Sequence, residues 1–208
     1  MTAPIPTMNT DSPTFGLLCF EDLEELDLVG PWEVFTTAVA SLPAARVVTI
    51  AERPGSVRCA KGLRITPDHD FADAPRLDVV LVPGGQGTRR EIDNPVLIEW
   101  LRKTGESCTW VTSVCTGSLL LHGAGFARGR RITTHWGYVS QLRERAPDAE
   151  VLEGVRYVRD GNVVTAAGVS AGIDMALWLV GQIWGVDRAR GVQKVIQYDP
   201  APPYTAEV

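Results

Sequence analysis

The chain has 208 residues, 45% of them hydrophobic, and a net charge of −5. This length suits one domain with a sizeable core. The acidic balance argues against a surface that binds nucleic acid or anionic lipid. No apolar run approaches the roughly 18 residues of a membrane span, and the polar N-terminus lacks the apolar core of a secretory signal. We therefore expect a cytoplasmic protein without nucleic-acid or membrane partners.

Strands and helices alternate along most of the sequence. Runs such as TFGLLCF (14–20) and LDVVLV (77–82) are almost wholly apolar, which is typical of strands buried on both faces of a parallel sheet. Asn94 and Pro95 favour a helix start, and Gly105 favours a helix end. In chain order we predict a strand at 14–20, a loop that leads into a helix at 27–40 with Pro31 near the first helical turn, a strand at 46–51, a hairpin or two short strands at 57–66, a strand at 77–82, a helix at 95–103, a strand at 108–114, a helix at 116–123, a strand at 131–134, a helix at 138–145, a hairpin at 157–167, and helices at 170–184 and 187–197.

This alternation predicts one α/β domain at residues 14–199, with a mainly parallel sheet and helices on both of its faces. Residues 1–13 and 200–208 are expected to be flexible tails. The sequence has no internal repeat and no change of composition that would indicate a second domain. Asp174 lies in an otherwise apolar helical segment, so we expect it to form a structural ion pair or a cap interaction.

The four cysteines and three histidines do not form a metal-binding pattern. None of the cysteines (Cys19, Cys59, Cys108 and Cys115) belongs to a C-x-x-C pair, so zinc-type spacing is absent. A disulfide framework is not expected in a chain of this length without a secretory signal. We therefore predict that the protein holds no metal ion.

The segment VTSVCTGS (111–118) carries the strongest chemical signal in the sequence. A buried strand runs directly into a helix at Cys115, and the small residues Ser113 and Gly117 stand two positions before and after it. This is the spacing of a nucleophile elbow, with cysteine in place of serine. A helix N-terminus lowers the pKa of a thiol, so we expect a Cys115 thiolate near neutral pH. Cys115 is thus the predicted nucleophile.

Five motifs together resemble the ThiJ/PfpI superfamily, a branch of the class I glutamine amidotransferase-like fold. They are ELDLVGPWEVF (25–35), VPGG (82–85), SVCTG (113–117), TTHW (133–136) and GVSAGIDMAL (168–177). The resemblance implies a single-domain, flavodoxin-like sandwich with a cysteine nucleophile and no cofactor. It also implies a homodimer whose active site lies close to the subunit interface.

The resemblance also implies roles for residues around Cys115. Asp27, from the loop after the first strand, is expected to exchange a proton with the thiol. The N–H groups of Gly85 and Thr116 are expected to form an oxyanion-type donor pair, and Gly84 would let the backbone approach a ligand closely.

Two aromatic residues complete the predicted site. His135 is the remaining ionisable candidate and is interpreted as a residue at the pocket edge. Trp136 could line an apolar pocket.

Thr116 distinguishes this chain from part of the superfamily. Peptidase-like and glyoxalase- or deglycase-like members usually carry histidine directly after the cysteine. The C-T-G form, with Asp27 in the first loop, resembles isonitrile hydratases and the amidase-like sensory domains of AraC-type regulators. We therefore predict hydration of a small apolar isonitrile to an N-substituted formamide, through a covalent thioimidate on Cys115.

Three other hypotheses about function are consistent with the sequence. The protein could be a glyoxalase- or deglycase-like enzyme that acts on reactive carbonyls. It could be a non-enzymatic sensor domain of the AraC-regulator type. A redox-sensing role for Cys115 is the third, because an exposed thiol of low pKa oxidises readily.

Overall fold

The computed structural model describes residues 7–200. Residues 1–6 and 201–208 of the two predicted tails lie outside this range. Within the N-terminal segment, the Thr10 carbonyl accepts a 2.9 Å hydrogen bond from Trp184 Nε1, and Met8 packs against the core. None of the helices in residues 7–200 has the length and hydropathy to cross a lipid bilayer.

The described chain alternates between strands and helices. The strands are β1 (Thr14–Cys19), β2 (Arg46–Ala51), β3 (Val57–Arg58), β4 (Arg64–Ile65), β5 (His69–Asp70), β6 (Val79–Val82), β7 (Trp110–Val114), β8 (Arg131–Ile132), β9 (Glu150–Val151), β10 (Tyr157–Asp160) and β11 (Val163–Ala166). The helices are α1 (Glu25–Val39), α2 (Thr88–Glu91), α3 (Pro95–Ser107), α4 (Gly117–Gly123), α5 (Val139–Arg145), α6 (Ala171–Trp184) and α7 (Val186–Val195). A short 3-10 helix, Trp136–Tyr138, precedes α5.

A seven-stranded sheet in the order β10-β11-β7-β6-β1-β2-β5 forms the centre of the molecule. All pairs in it are parallel except β10 with β11, which form an antiparallel hairpin. Every residue of β6 and β7 is buried, because helices cover both faces. Helices α1, α6 and α7 pack together on one side, and α3 and α4 pack on the other. The predicted single-domain α/β fold is confirmed.

Two predicted helix boundaries were wrong, and for one of them the structure shows a packing cause. Helix α1 begins at Glu25, so Asp27 lies in its first turn and not in the preceding loop, and Pro31 is inside the helix. Helix α3 runs past Gly105 to Ser107. Gly105 does not end that helix but makes room for the ring of Phe126, which a Cβ atom at this position would overlap.

The predicted partner of Asp174 is confirmed as an arginine. Arg156 Nε donates a 2.7 Å hydrogen bond to Asp174 Oδ2, and Arg156 also bonds Ser170 Oγ at the start of α6. The predicted strand at 131–134 is shorter than expected and ends at Ile132. Thr133 and Thr134 instead use their hydroxyls to bond Leu152 O and Cys115 O.

The position of α1 on the sheet depends on an aromatic pair. Phe35 of α1 and Phe15 of β1 are fully buried and stack with ring centroids 4.7 Å apart. Phe35→Ala should lower the free energy of unfolding by about 3–5 kcal/mol, because it leaves a cavity in the core. Urea unfolding measures the loss, with the exposed Leu63→Ala as control at below about 0.5 kcal/mol. Equal losses in the two variants would contradict this account of the core.

Candidate functional site

Cys115 occupies a strained turn between β7 and α4. Its φ of +55° lies in the left-handed region, which residues with a side chain rarely adopt and which costs roughly 1–3 kcal/mol. The turn is fixed by a 2.9 Å hydrogen bond from Cys115 N to Ala166 O and by a 3.0 Å bond from Thr134 Oγ1 to Cys115 O. The geometry is that of the nucleophile elbow which the sequence predicts.

Glycines from three segments approach this turn closely. A Cβ atom on Gly84 would lie 2.8 Å from Cys115 Cβ and 2.5 Å from Thr116 N. A Cβ atom on Gly168, whose φ is +103°, would lie 2.7 Å from Cys115 Cβ. Gly117 makes an equally close approach to the carbonyl oxygen of Val82. The close backbone approach predicted at Gly84 is present, but Gly84 approaches the cysteine turn and not a ligand.

The structure brings Asp27 and Cys115 together. Asp27 is fully buried, and its Oδ2 accepts a 3.0 Å hydrogen bond from Gly84 N. Its Oδ1 is buried without a hydrogen-bond partner in the described part of the chain. Burial raises the pKa of Asp27 to about 7, although the hydrogen bonds from Gly84 and Cys115 act in the opposite direction. The carboxyl group therefore titrates in the range where acid–base catalysis at neutral pH is efficient.

The expected low pKa of the Cys115 thiol was wrong. Burial, followed by the charge of Asp27, raises the pKa of Cys115 to about 12, and only hydrogen bonds from Thr116 oppose this. The cysteine is 7% exposed and precedes a helix of only seven residues, so desolvation exceeds the effect of the helix dipole. At neutral pH the sulfur keeps its proton, and the neighbouring carboxyl is the group that changes charge.

The predicted oxyanion-type donor pair is also different in the structure. The Gly85 N–H donates to Thr116 Oγ1 at 3.0 Å and is therefore not free for a ligand. The Thr116 backbone N–H instead acts on the Cys115 thiol, whose pKa it lowers. The Thr116 hydroxyl also lies 3.1 Å from Thr88 Oγ1, so it belongs to a continuous polar network.

A cavity of about 390 Å³ opens beside the cysteine, and Gly85, Thr116, His135 and Trp136 all line it. His135 Nδ1 accepts a 3.2 Å hydrogen bond from Gly137 N, so this ring caps the short 3-10 helix. Trp136 is 80% exposed and lies at the rim. A larger cavity of about 770 Å³, lined by Cys19, Glu52 and Asn94 among others, contains none of the predicted site residues.

Sequence reasoning missed Arg89. The predicted small apolar substrate requires no cation at the site, but Arg89 of α2 lines the cavity next to Cys115. Its Nη1 donates to Gly85 O at 2.8 Å and lies 3.3 Å from Thr116 Oγ1. The only available signal was its position, four residues after the VPGG motif, at the end of a parallel strand where ligands bind.

Fold and site together define a flavodoxin-like α/β protein with a cysteine at a strand-to-helix turn. Residues 15–182 match the DJ-1/PfpI family, and the chain belongs to this family. It is 40% identical over 189 residues to isonitrile hydratase from Pseudomonas putida, which covers 91% of this chain and 80% of the relative.

Two further comparisons extend this picture. The crystal structure of a ThiJ/PfpI family protein from Pseudomonas syringae has a TM-score of 0.85 and 31% identity, and the match covers 99% of this chain and 86% of that one. The transcriptional regulator GbdR from Pseudomonas aeruginosa is 26% identical over 94% of this chain, which spans only 53% of the regulator.

The raised pKa of Asp27 predicts how the free energy of unfolding changes with pH. Because the folded-state pKa of about 7 lies above the ordinary value, the charged carboxyl destabilises the fold increasingly from about pH 4 to pH 7, and constantly above that. Asp27→Asn should therefore stabilise the protein more at pH 8.5 than at pH 5, by on the order of 2–3 kcal/mol. Urea unfolding at both pH values measures this difference, and an equal effect at both would contradict a raised pKa.

The coupling of the two groups makes a second prediction, about thiol reactivity. Asp27→Asn removes the negative charge that helps to raise the pKa of Cys115. Alkylation of Cys115 by iodoacetamide at pH 8–9 should then be faster in the variant than in the native protein. Mass spectrometry of the Cys115 peptide gives the rate as a function of pH. An unchanged profile would show that the carboxyl does not act on this thiol.

Proposed function

We propose that the protein hydrates isonitriles to N-substituted formamides, with Cys115 as nucleophile and Asp27 as the group that moves protons. The buried Asp27–Cys115 pair carries this proposal, because its carboxyl can both release and accept a proton near pH 7. Support also comes from the 40% identity to an isonitrile hydratase and from Thr116, which stands where glyoxalase-like members carry histidine.

In the first step, the sulfur of Cys115 bonds to the terminal carbon of the isonitrile, R–N≡C. The same carbon takes a proton from Asp27, and the thiol proton replaces it on the carboxyl. The product is a neutral thioimidate, R–N=CH–S–Cys, in which the sulfur and a proton have both bonded to the former isonitrile carbon. A thiol that keeps its proton until attack suits this step, because the reaction uses the proton as well as the sulfur.

In the second step, Asp27 gives its proton to the thioimidate nitrogen, and the carboxylate then accepts a proton from the water molecule that attacks the carbon. The adduct R–NH–CH(OH)–S–Cys breaks at its C–S bond and leaves as the formamide R–NH–CHO, and its hydroxyl proton replaces on the carboxyl the one that Asp27 passes to the sulfur. The sulfur departs as a thiolate, which the Thr116 N–H stabilises by its hydrogen bond before the sulfur regains a proton from Asp27. The sum of both steps is the addition of one water molecule to the isonitrile.

The homodimer implied by the family resemblance is part of the same proposal. Leu26, Val29 and Trp32 follow each other at helical spacing on α1 and are all exposed. A second copy would cover this apolar stripe, which begins one residue from Asp27. Light scattering of the purified protein gives its oligomeric state and so tests the proposed homodimer. The cytoplasmic location of the protein stays a prediction.

The assay is formamide formation from cyclohexyl isonitrile. Cys115→Ala should abolish turnover, and Asp27→Asn should lower it by roughly 10²–10⁴-fold, the usual contribution of a general acid–base group. Cys108→Ala is the matched control, because Cys108 is a buried cysteine that precedes β7 at the opposite end from Cys115. Turnover that survives in Cys115→Ala would refute the proposed nucleophile.

A folded native protein that leaves the isonitrile unchanged would refute the proposed reaction. Lactate formation from methylglyoxal would then favour the carbonyl enzyme. Ligand-dependent stabilisation without any turnover would favour a sensor domain like that of the regulator.

A further inference from the structure

Arg89 is a half-buried cation without a counter-charge. None of the carboxylates in residues 7–200 forms an ion pair with it, although the other cations close to this region are paired. The adjacent Arg90 bonds Asp22 and Glu91, and Lys61 bonds Glu24. A guanidinium that is partly removed from water without a partner is costly unless a ligand supplies the missing negative charge.

The guanidinium is also held in a fixed place. Its Nη1 donates to Gly85 O at 2.8 Å, and the group lies over the ring of Tyr138, 4.4 Å from the centroid. Guanidinium carries five N–H donors, and in the described part of the chain Nε and Nη2 have no acceptor. A rigid group with unused donors on one side is suited to bind a planar anion such as a carboxylate.

Arg89 lies close to the predicted reaction centre. Its Nη1 is 3.3 Å from Thr116 Oγ1, and Thr116 directly follows the nucleophile Cys115. Both residues line the same cavity of about 390 Å³. A ligand bonded to the sulfur therefore brings the groups near its reacting carbon towards the guanidinium. A carboxylate separated from the isonitrile nitrogen by a single carbon atom is such a group.

We propose that Arg89 makes this site selective for isonitriles that carry a carboxylate on the carbon next to the isonitrile nitrogen. The inference rests on the proposed hydration activity and narrows its substrate class. It replaces the small apolar substrate that the sequence favoured, because Arg89 places a cation in the cavity beside Cys115. The product of such a substrate is an N-formyl amino acid.

The test compares isocyanoacetate with its neutral analogue isocyanoacetamide. The native protein should have the higher kcat/KM for the carboxylate. In Arg89→Met the ratio of the two values should fall by about 10- to 100-fold, the usual effect of losing a hydrogen bond between charged groups. The ratio cancels any general loss of activity in the variant. Arg89→Lys, which keeps the charge but not the planar fork, should give an intermediate ratio.

Arg90→Met is the matched control, because it removes the neighbouring charge outside this cavity and should keep the native ratio. A native ratio of one or below, or an equal ratio in Arg89→Met, would overturn the inference. Turnover of cyclohexyl isonitrile in the same preparation would show that the proposed hydration still stands.

A binding measurement tests Arg89 even if no isonitrile is turned over. N-formylglycine should slow the alkylation of Cys115 at a concentration at least tenfold lower than N-formylglycinamide, and this difference should be lost in Arg89→Met. Equal protection by the two compounds would refute a carboxylate site at Arg89.

Discussion

The site depends on one backbone constraint, the left-handed conformation of Cys115 at the end of β7. This turn allows the chain to pass from a buried strand into α4 without a loop, and it leaves no free space around the backbone and Cβ of Cys115. Gly84 and Gly168 approach so closely that even a methyl group would overlap the cysteine. The same packing excludes water from Asp27 and Cys115, and exclusion of water raises the pKa of both groups. Backbone geometry and acid–base chemistry are therefore two consequences of one arrangement.

This arrangement suits some reactions better than others. A peptidase needs a reactive thiolate and free donors for an oxyanion, whereas here the thiol keeps its proton and the Gly85 N–H is already bonded to Thr116. Addition of a thiol to an isonitrile forms a neutral thioimidate without an oxyanion. The protonated thiol and the occupied Gly85 N–H, which disagree with the predicted thiolate and donor pair, are compatible with the proposed addition to an isonitrile. Thr116 explains only the second of these features, because its hydroxyl accepts the hydrogen bond of the Gly85 N–H. Burial and the charge of Asp27 keep the proton on the thiol.

The sequence predicted what depends on local pattern. Apolar runs located β1, β6 and β7, and the small residues around Cys115 located the turn, since both signals are read within a few positions. It did not predict the pKa of Cys115, which depends on packing of Asp27 from 88 positions earlier in the chain. Gly105 was wrongly predicted to end a helix for a similar reason. The sequence around it is that of an ordinary helix end, whereas glycine is required there because the ring of Phe126 packs against it.

Arg89 and Arg90 show why the cation at the site was invisible in the sequence. The two residues are adjacent and chemically identical, and successive residues on a helix point about 100° apart. Within α2, one side chain therefore faces the cavity while the other pairs with Asp22 and Glu91. The residue at which α2 begins therefore determines which of the two arginines faces the cavity and which one pairs with carboxylates. In the proposed reaction, the buried Asp27–Cys115 pair acts on the uncharged isonitrile carbon and gives up little solvation. The charged group of the proposed substrate would bind Arg89, a cation that lies outside that pair.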